Sequence, residues 1–250
     1  MVFQGGYKES IYTLIRGDYM SYTSKKIICL AKSRRPGGFN IAGKELLDDG
    51  SVGGWIRPVS SRETQEISSE ECRYKDDSRL SLLDIIEIPF IKHQPRHFQG
   101  ENFLIDDNYR WVKEDTFDFS KLLEICDNPD ALWTPHDSSS YGMNDRVEER
   151  FMDILKGSLY LITPGTLSID VQSESREFGN PRRKVRVSFE YNGVTYIFPI
   201  TDPTLEKQNL SKRDGRYPVN NPKNRIFMCV SIELPQKSYC NKAIDSILEQ

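Results

Sequence analysis

The segment 184–201, KVRVSFEY-NG-VTYIFPIT, constrains the fold more than any other part of the chain. Asn192-Gly193 separates two runs in which apolar and polar residues alternate. Both turn residues accept positive φ, which a two-residue type I′ turn requires. A turn this short sets the register. Tyr191 faces Val194, Phe189 faces Tyr196, Val187 faces Phe198 and Val185 faces Ile200. These eight side chains share one face, so that face is core. The other carries Lys184, Arg186, Ser188 and Glu190 against Thr195, Ile197, Pro199 and Thr201.

Further strands are expected on both sides of this hairpin. KIICLA (26–31), FNIAGKEL (39–46), WIRPV (55–59) and LLDIIEIPFI (82–91) make up the first half, with turn signals at Arg34-Arg35-Pro36-Gly37-Gly38. β-branched residues favour strand over helix in 82–91. SLYLIT (158–163), Pro164-Gly165, TLSIDVQ (166–172), a loop at Gly179-Asn180-Pro181 and IFMCVSIEL (226–234) continue the pattern. Helical expectations are few. Ser68 to Glu71 can open a short helix by capping. FSKLLEIC (119–126) places Phe119, Leu122, Leu123 and Cys126 at i, i+3, i+4 and i+7. AIDSILE (243–249) reads as a closing helix. With no βαβ alternation, the expected fold is mainly β.

The length of 250 residues suits one large domain or two small ones. Residues 101–130 hold nine carboxylates against three basic side chains, a composition shift that separates two strand-rich units. The division is an N-terminal arm (1–24), a first barrel (25–105), an acidic helical connector (106–155) and a second barrel with the C-terminal helix (156–250). The formal net charge of −3 excludes a protein that binds nucleic acid through bulk positive charge. Five cysteines, odd in number and without a C-x-x-C pair, exclude a disulfide framework and a zinc ribbon. Cys29 and Cys229 fall in apolar runs and read as buried thiols. No apolar run approaches the roughly 20 residues that span a bilayer, and residues 1–17 lack a signal-peptide layout. The chain is therefore expected to be cytoplasmic and to have no membrane partner.

No catalytic signature is present: no G-x-S-x-G, Walker A, G-x-G-x-x-G or H-E-x-x-H. His93 and His97 flank Pro95 and read as surface loop residues rather than as a metal site with Glu101, so neither metal nor cofactor is expected. Lys25, Lys26, Lys32, Arg34 and Arg35 form a basic cluster without an acid. Lys32-Ser33-Arg34-Arg35 runs into a Gly-Gly turn, where backbone amides beside arginines suit an anion. In Arg182, Arg183, Lys184 and Arg186, pairing of Arg183 and Lys184 with Asp202 is the structural reading. Trp55 and Arg57 point the same way and Ile56 the other. If Ile56 is core, Trp55 and Arg57 line the outer face and can stack a base and hold a phosphate. If Trp55 is core, Arg57 is buried and needs a partner.

Several ordered motifs, from about Lys26 to the C-terminus, resemble the dual-OB-containing domain family of prokaryotic conflict (anti-phage defence) systems. They are LAKSRRPGGFNIAGKEL, GGWIRPVS, LLDIIEI, QGENFLI, LW (132–133), NDR (144–146), SLYLI, FEYNGVTYIFPITDP and the terminal VSIEL…YCNKAI. The resemblance implies two tandem OB-like β-barrels that recognise nucleic acid or a nucleotide, beside effector proteins of a defence operon. The positions it marks for a polar site are Ser33, Arg34, Arg57, Gln99, Glu101, Asn102, Asp145, Arg146, Thr201 and Asp202. The leading reading is a non-enzymatic sensor or adaptor. An enzyme using Glu101, Asp145, Asp202 and Lys242 is one alternative. A protein-interaction scaffold with an exposed apolar patch is another.

Overall fold

The computed structural model describes residues 23–174, 182–219 and 225–249. The expected arm lies outside them up to residue 22, as does the Gly179-Asn180-Pro181 loop. The first unit contains β1 (Thr23–Arg35), β2 (Gly38–Leu46), β3 (Val52–Val59), β4 (Asp84–His93) and β5 (Asn102–Ile105). β1, β2 and β3 form an antiparallel meander. β3 pairs parallel with β5, β5 pairs with β4, and β4 returns to β1. The order 1-2-3-5-4-1 closes the sheet. β1 is long enough to serve both neighbours: residues 23–28 meet β4 and 27–35 meet β2, with a register shift between Cys29 and Ala31. Ile27, Ile41, Ile56, Ile86, Ile88, Phe90 and Trp111 fill the interior. β6 (Val112–Thr116) extends the β4 edge beside β5. Ser68 and Glu71 do exchange their capping bonds, at 2.6 and 3.2 Å, yet they close a turn rather than open a helix.

The connector's helix is a correction. Phe119–Ile125 is a 3₁₀ helix capped by Asp118, which accepts from Ser120 N. Its period of three puts Phe119, Leu122 and Ile125 on one side and leaves Leu123 exposed. The i, i+3, i+4, i+7 reading chose the wrong period. β7 (Arg146–Glu148) and a second 3₁₀ turn (Glu149–Ile154) lead into the second unit.

That unit repeats the closed order with its first strand in two pieces. β8 (Leu159–Ile162) and β9 (Leu167–Glu174) flank the Pro164-Gly165 break. β10 (Arg182–Tyr191), β11 (Val194–Pro199), α1 (Pro203–Leu210), β12 (Gly215–Pro218), β13 (Phe227–Ile232) and β14 (Tyr239–Leu248) follow. β9, β10 and β11 form the meander. Ile200, just past β11, bridges in parallel to Ile244 of β14; β14 pairs with β13, and β13 with β8. The hairpin has the expected register, with positive φ at Asn192 (49°) and Gly193 (77°). Phe189, Tyr191, Tyr196 and Phe198 are buried.

The expected C-terminal helix at 243–249 is instead strand β14. Ile244 packs into the second barrel's core, while Leu248 packs towards the first barrel. Burial on both faces erases the alternation that marks a strand, and the run then mimics a helix.

The barrels meet over the outer face of β1, β2 and β3. Ile28, Leu30, Leu161, Phe227 and Leu248 join there with the 3₁₀ helix, and Ala31 and Ala42 pack with Leu159, Cys229 and Trp55. Ser246 Oγ donates to Leu30 O, and Arg34 N to Thr201 O at 2.8 Å. Cys29, Cys72, Cys229 and Cys240 are buried and all five thiols are free. No helix among the described residues is long and apolar enough to cross a membrane.

Candidate functional site

OB barrels bind ligands on the face of their second and third strands and on the loops joining strands one to two and four to five. In the first barrel that face is covered by the second barrel. Trp55 is one of the covering contacts. Its Nε1 donates to Asp127 Oδ2 (3.0 Å), and Lys44 Nζ lies 5.5 Å from its ring centre. Ile56 is core, so Trp55 and Arg57 do point outwards, but into the other barrel. The expected stacking platform is thereby occupied.

The loops remain. The β1–β2 turn (Arg35, Pro36) and the β4–β5 loop (Arg96, Gln99) of the first barrel converge with the β13–β14 loop (Glu233 to Gln236) of the second. Together with Arg57, Thr64 to Glu66, Asn102 and Ser231 they enclose a cleft of about 380 Å³, within the usual range of roughly 300–1,000 Å³ for ligand pockets. Phe98 anchors the β4–β5 loop by inserting into the second barrel's core.

The cleft floor is polar and buried. Arg57, 6% exposed, donates through Nη2 to Ser158 Oγ (2.7 Å) and lies 3.3 Å from Glu101 Oε1; Ser158 Oγ donates to Glu101. Arg57 N also donates to Glu101 O at 2.7 Å. One arginine thus ties β3 to the β4–β5 loop and to the second barrel. Asn102 and Ser231 are equally buried. Arg57 Nε, Asn102 Oδ1, Ser231 Oγ and Glu66 Oε2 have no hydrogen-bond partner among the described residues. At the rim Arg35 pairs with Glu233 across the two barrels. Burial pushes the Glu233 carboxyl above its ordinary range, and Arg35 opposes that shift.

The structure therefore brings Arg35, Arg57, Gln99 and Asn102 together, with Glu101 directly behind them. The other sequence candidates lie elsewhere. Lys32 donates to Leu80 O (2.9 Å) and covers Phe39; Ser33 is buried in β1; the Arg34 side chain is exposed outside the cleft lining. Asp145 accepts from Ser139 N (2.7 Å) and lies 3.5 Å from Arg186, while Arg146 pairs with Asp137 (3.0 Å) and stacks on Tyr239. Thr201 donates to Asp245 (2.7 Å), and Asp202 caps α1 by accepting from Thr204 N and Leu205 N. Asp202 is therefore not the partner of Arg183, which pairs with Asp214 at 3.1 Å. Lys242 is wholly buried and donates to Trp133 O and Asn144 O, both at 2.9 Å, with His136 Nδ1 at 3.1 Å. Burial pulls its ammonium down to about 7, with Asp145 opposing. Its three acceptors make it a tie between β14 and the 133–144 loop. Glu101 and Asp202 thus serve separate local networks, whereas Asp145 lies beside Lys242, whose N donates to Asp145 O at 2.8 Å. Among the described residues no group of three or more His, Cys, Asp or Glu side chains could hold a metal ion.

Glu66, Arg96, Ser231 and Glu233 are cleft residues that the sequence reading did not single out. They sit on ordinary loop and strand stretches, and only closure of the barrels gathers them. A larger cleft of about 520 Å³ lies beside Tyr141, Asp170 and Arg216. Its carboxylate Asp170 is already held by Arg216 at 2.7 and 2.9 Å, and no unpartnered buried atom lines it among the described residues.

Two closed 1-2-3-5-4-1 barrels in series, the second with its helix between strands three and four, are the OB architecture twice over. A family model for the dual OB-containing domain matches residues 25–247. The chain belongs to that family. Comparison with curated proteins and with solved structures returns no match. In this dual OB protein, the loops that OB barrels use for ligands come from both barrels and face a single cleft.

Proposed function

We propose that this dual OB protein is a binding module for a nucleotide or a nucleic-acid end, held in the cleft between the barrels. The observation that carries the reading is the placement of unpartnered buried polar atoms from Arg57, Asn102 and Ser231 where the β1–β2, β4–β5 and β13–β14 loops meet. A buried polar group without a partner costs about 1–3 kcal/mol, a cost that a complementary ligand removes. The OB architecture favours nucleic-acid chemistry, and the cleft's size favours one or two nucleotides over a long strand. The sensor or adaptor role, beside effector proteins of an anti-phage system, belongs to the same proposal. The large exposed hydrophobics among the described residues, Leu47, Tyr109, Leu123, Met143 and Ile154, sit on separate elements and do not form an apolar docking patch.

The test is to purify the protein natively and identify co-purifying nucleotides by mass spectrometry. Mononucleotides, short RNA, single-stranded DNA and duplex DNA are then titrated by calorimetry. Binding that Arg96→Glu weakens supports the reading. If no nucleic acid or nucleotide binds below about 100 μM at low salt, where even non-specific binders reach this range, the reading fails.

A further inference from the structure

The charges around the cleft say which part of a nucleotide it takes. Three guanidinium groups line it, from Arg35, Arg57 and Arg96, together with the carboxylates of Glu66 and Glu233. Arg35 is committed to Glu233 and Arg57 to Glu101. Only Arg96, whose guanidinium reaches Gln65 at 3.4 Å, brings a cation without a carboxylate partner among these contacts. A phosphate entering the floor would meet guanidinium groups already paired with carboxylates, while Arg96, the cation without such a partner among these contacts, lies on the exposed β4–β5 loop. Sites that grip phosphate offer unpaired arginines or converging backbone amides. This floor offers something else. Arg57 Nε is a donor, Asn102 Oδ1 and Glu66 Oε2 are acceptors, and Ser231 Oγ can be either. A neutral planar heterocycle with donors and acceptors along one edge matches that set, and the ionised phosphoryl group of a nucleotide, which has acceptors only, does not.

We propose that the cleft recognises the base, not the phosphate: a nucleobase enters edge-first against Arg57, Asn102 and Ser231, and the phosphate stays at the mouth near Arg96. This deepens the nucleotide reading and rests on it. The guanidinium of Arg96 is also the planar group placed to lie against a base face, since no aromatic ring lines the cleft among the described residues.

The experiment compares four probe classes on the intact protein by calorimetry: adenosine, guanosine, cytidine and uridine; their 5′-monophosphates; inorganic phosphate; and a short RNA. At least one nucleoside is expected to bind within about 10-fold of its monophosphate, with inorganic phosphate failing to compete. Ser231→Ala removes a hydroxyl that bonds to nothing among the described residues, so folding should be kept. It should weaken nucleoside binding about 3- to 10-fold, the worth of one hydrogen bond. Monophosphates or RNA that bind while every nucleoside fails would overturn base recognition and leave the nucleotide reading standing. So would competition by inorganic phosphate. Nucleoside binding that Ser231→Ala leaves unchanged would place the base elsewhere and overturn the assignment. Failure of all four classes, and of single-stranded and duplex DNA, would instead remove the nucleotide reading itself.

Discussion

Replacing Asp127 by alanine removes the pin between the two barrels. Its carboxylate accepts from Lys44 Nζ (2.6 Å) and Trp55 Nε1 (3.0 Å) of the first barrel, and from Leu161 N (2.8 Å) of the second. Lys44 is 7% exposed and would keep only Ile125 O, at 2.7 Å. Breaking a buried ion pair by deleting one partner costs about 3–5 kcal/mol. The Asp127 side chain is 22% exposed, so solvent screening places the cost at the lower end, about 3 kcal/mol. A protein of this size loses about 2–4 °C per kcal/mol, which gives a fall of roughly 6–12 °C in the thermal midpoint. Trp55→Phe removes one donor to that carboxylate and should cost about 1.5–3 kcal/mol. Urea denaturation with fluorescence and circular dichroism measures both. A loss below about 1 kcal/mol for Asp127→Ala would refute the reasoning, because Lys44 would then have to be solvated despite its burial.

Arg34→Glu should leave stability within about 0.5 kcal/mol, as exposed substitutions do, and should leave ligand affinity unchanged, whereas Arg96→Glu weakens it; calorimetry on the two variants checks the contrast. Gly43→Ala would place a Cβ 2.1 Å from Ile28 O, a backbone atom of the paired strand. A loss of about 3 kcal/mol, at the upper end for overpacking, should appear in denaturation curves. His136 is held down to about 4 by burial, with the Lys242 charge adding to the effect. The unfolded chain takes up this proton near the ordinary value of 6.5 and the folded chain only near 4, so stability falls as pH drops through that window. Denaturation midpoints from pH 7 to 4 should fall less steeply in His136→Gln than in the wild type.

The hairpin at 184–201 was legible because one of its faces is core and its turn sets the register. KIICLA and LLDIIEIPFI of the first barrel were legible as apolar runs rich in β-branched residues, although Ile28 and Leu30 of β1 are buried on its outer face as well. Legibility failed where a segment serves two neighbours. β14 is buried on both faces and so lost its alternation, and the Phe119–Ile125 segment obeys a period of three that its apolar spacing also fits. The site was half legible. Arg35, Arg57, Gln99, Glu101 and Asn102 stood out as polar positions in a motif-rich region. Ser231 and Glu233 join them only because the second barrel packs against the first, and local sequence carries no trace of that contact. Trp55 shows the converse case: its aromatic ring suggested stacking, but the acid 72 positions away that binds its indole became visible only in the fold.

In the proposed binding mode one cleft, built by loops of both barrels, holds the ligand. Hydrogen–deuterium exchange with and without a saturating mononucleotide tests it most directly. Slowed amide exchange is expected in 35–38, 96–102 and 231–236 together, with the β10–β11 hairpin and the surface beside Asp170 and Arg216 unchanged. Protection centred on either of those two regions, with the three loops unaffected, would contradict it.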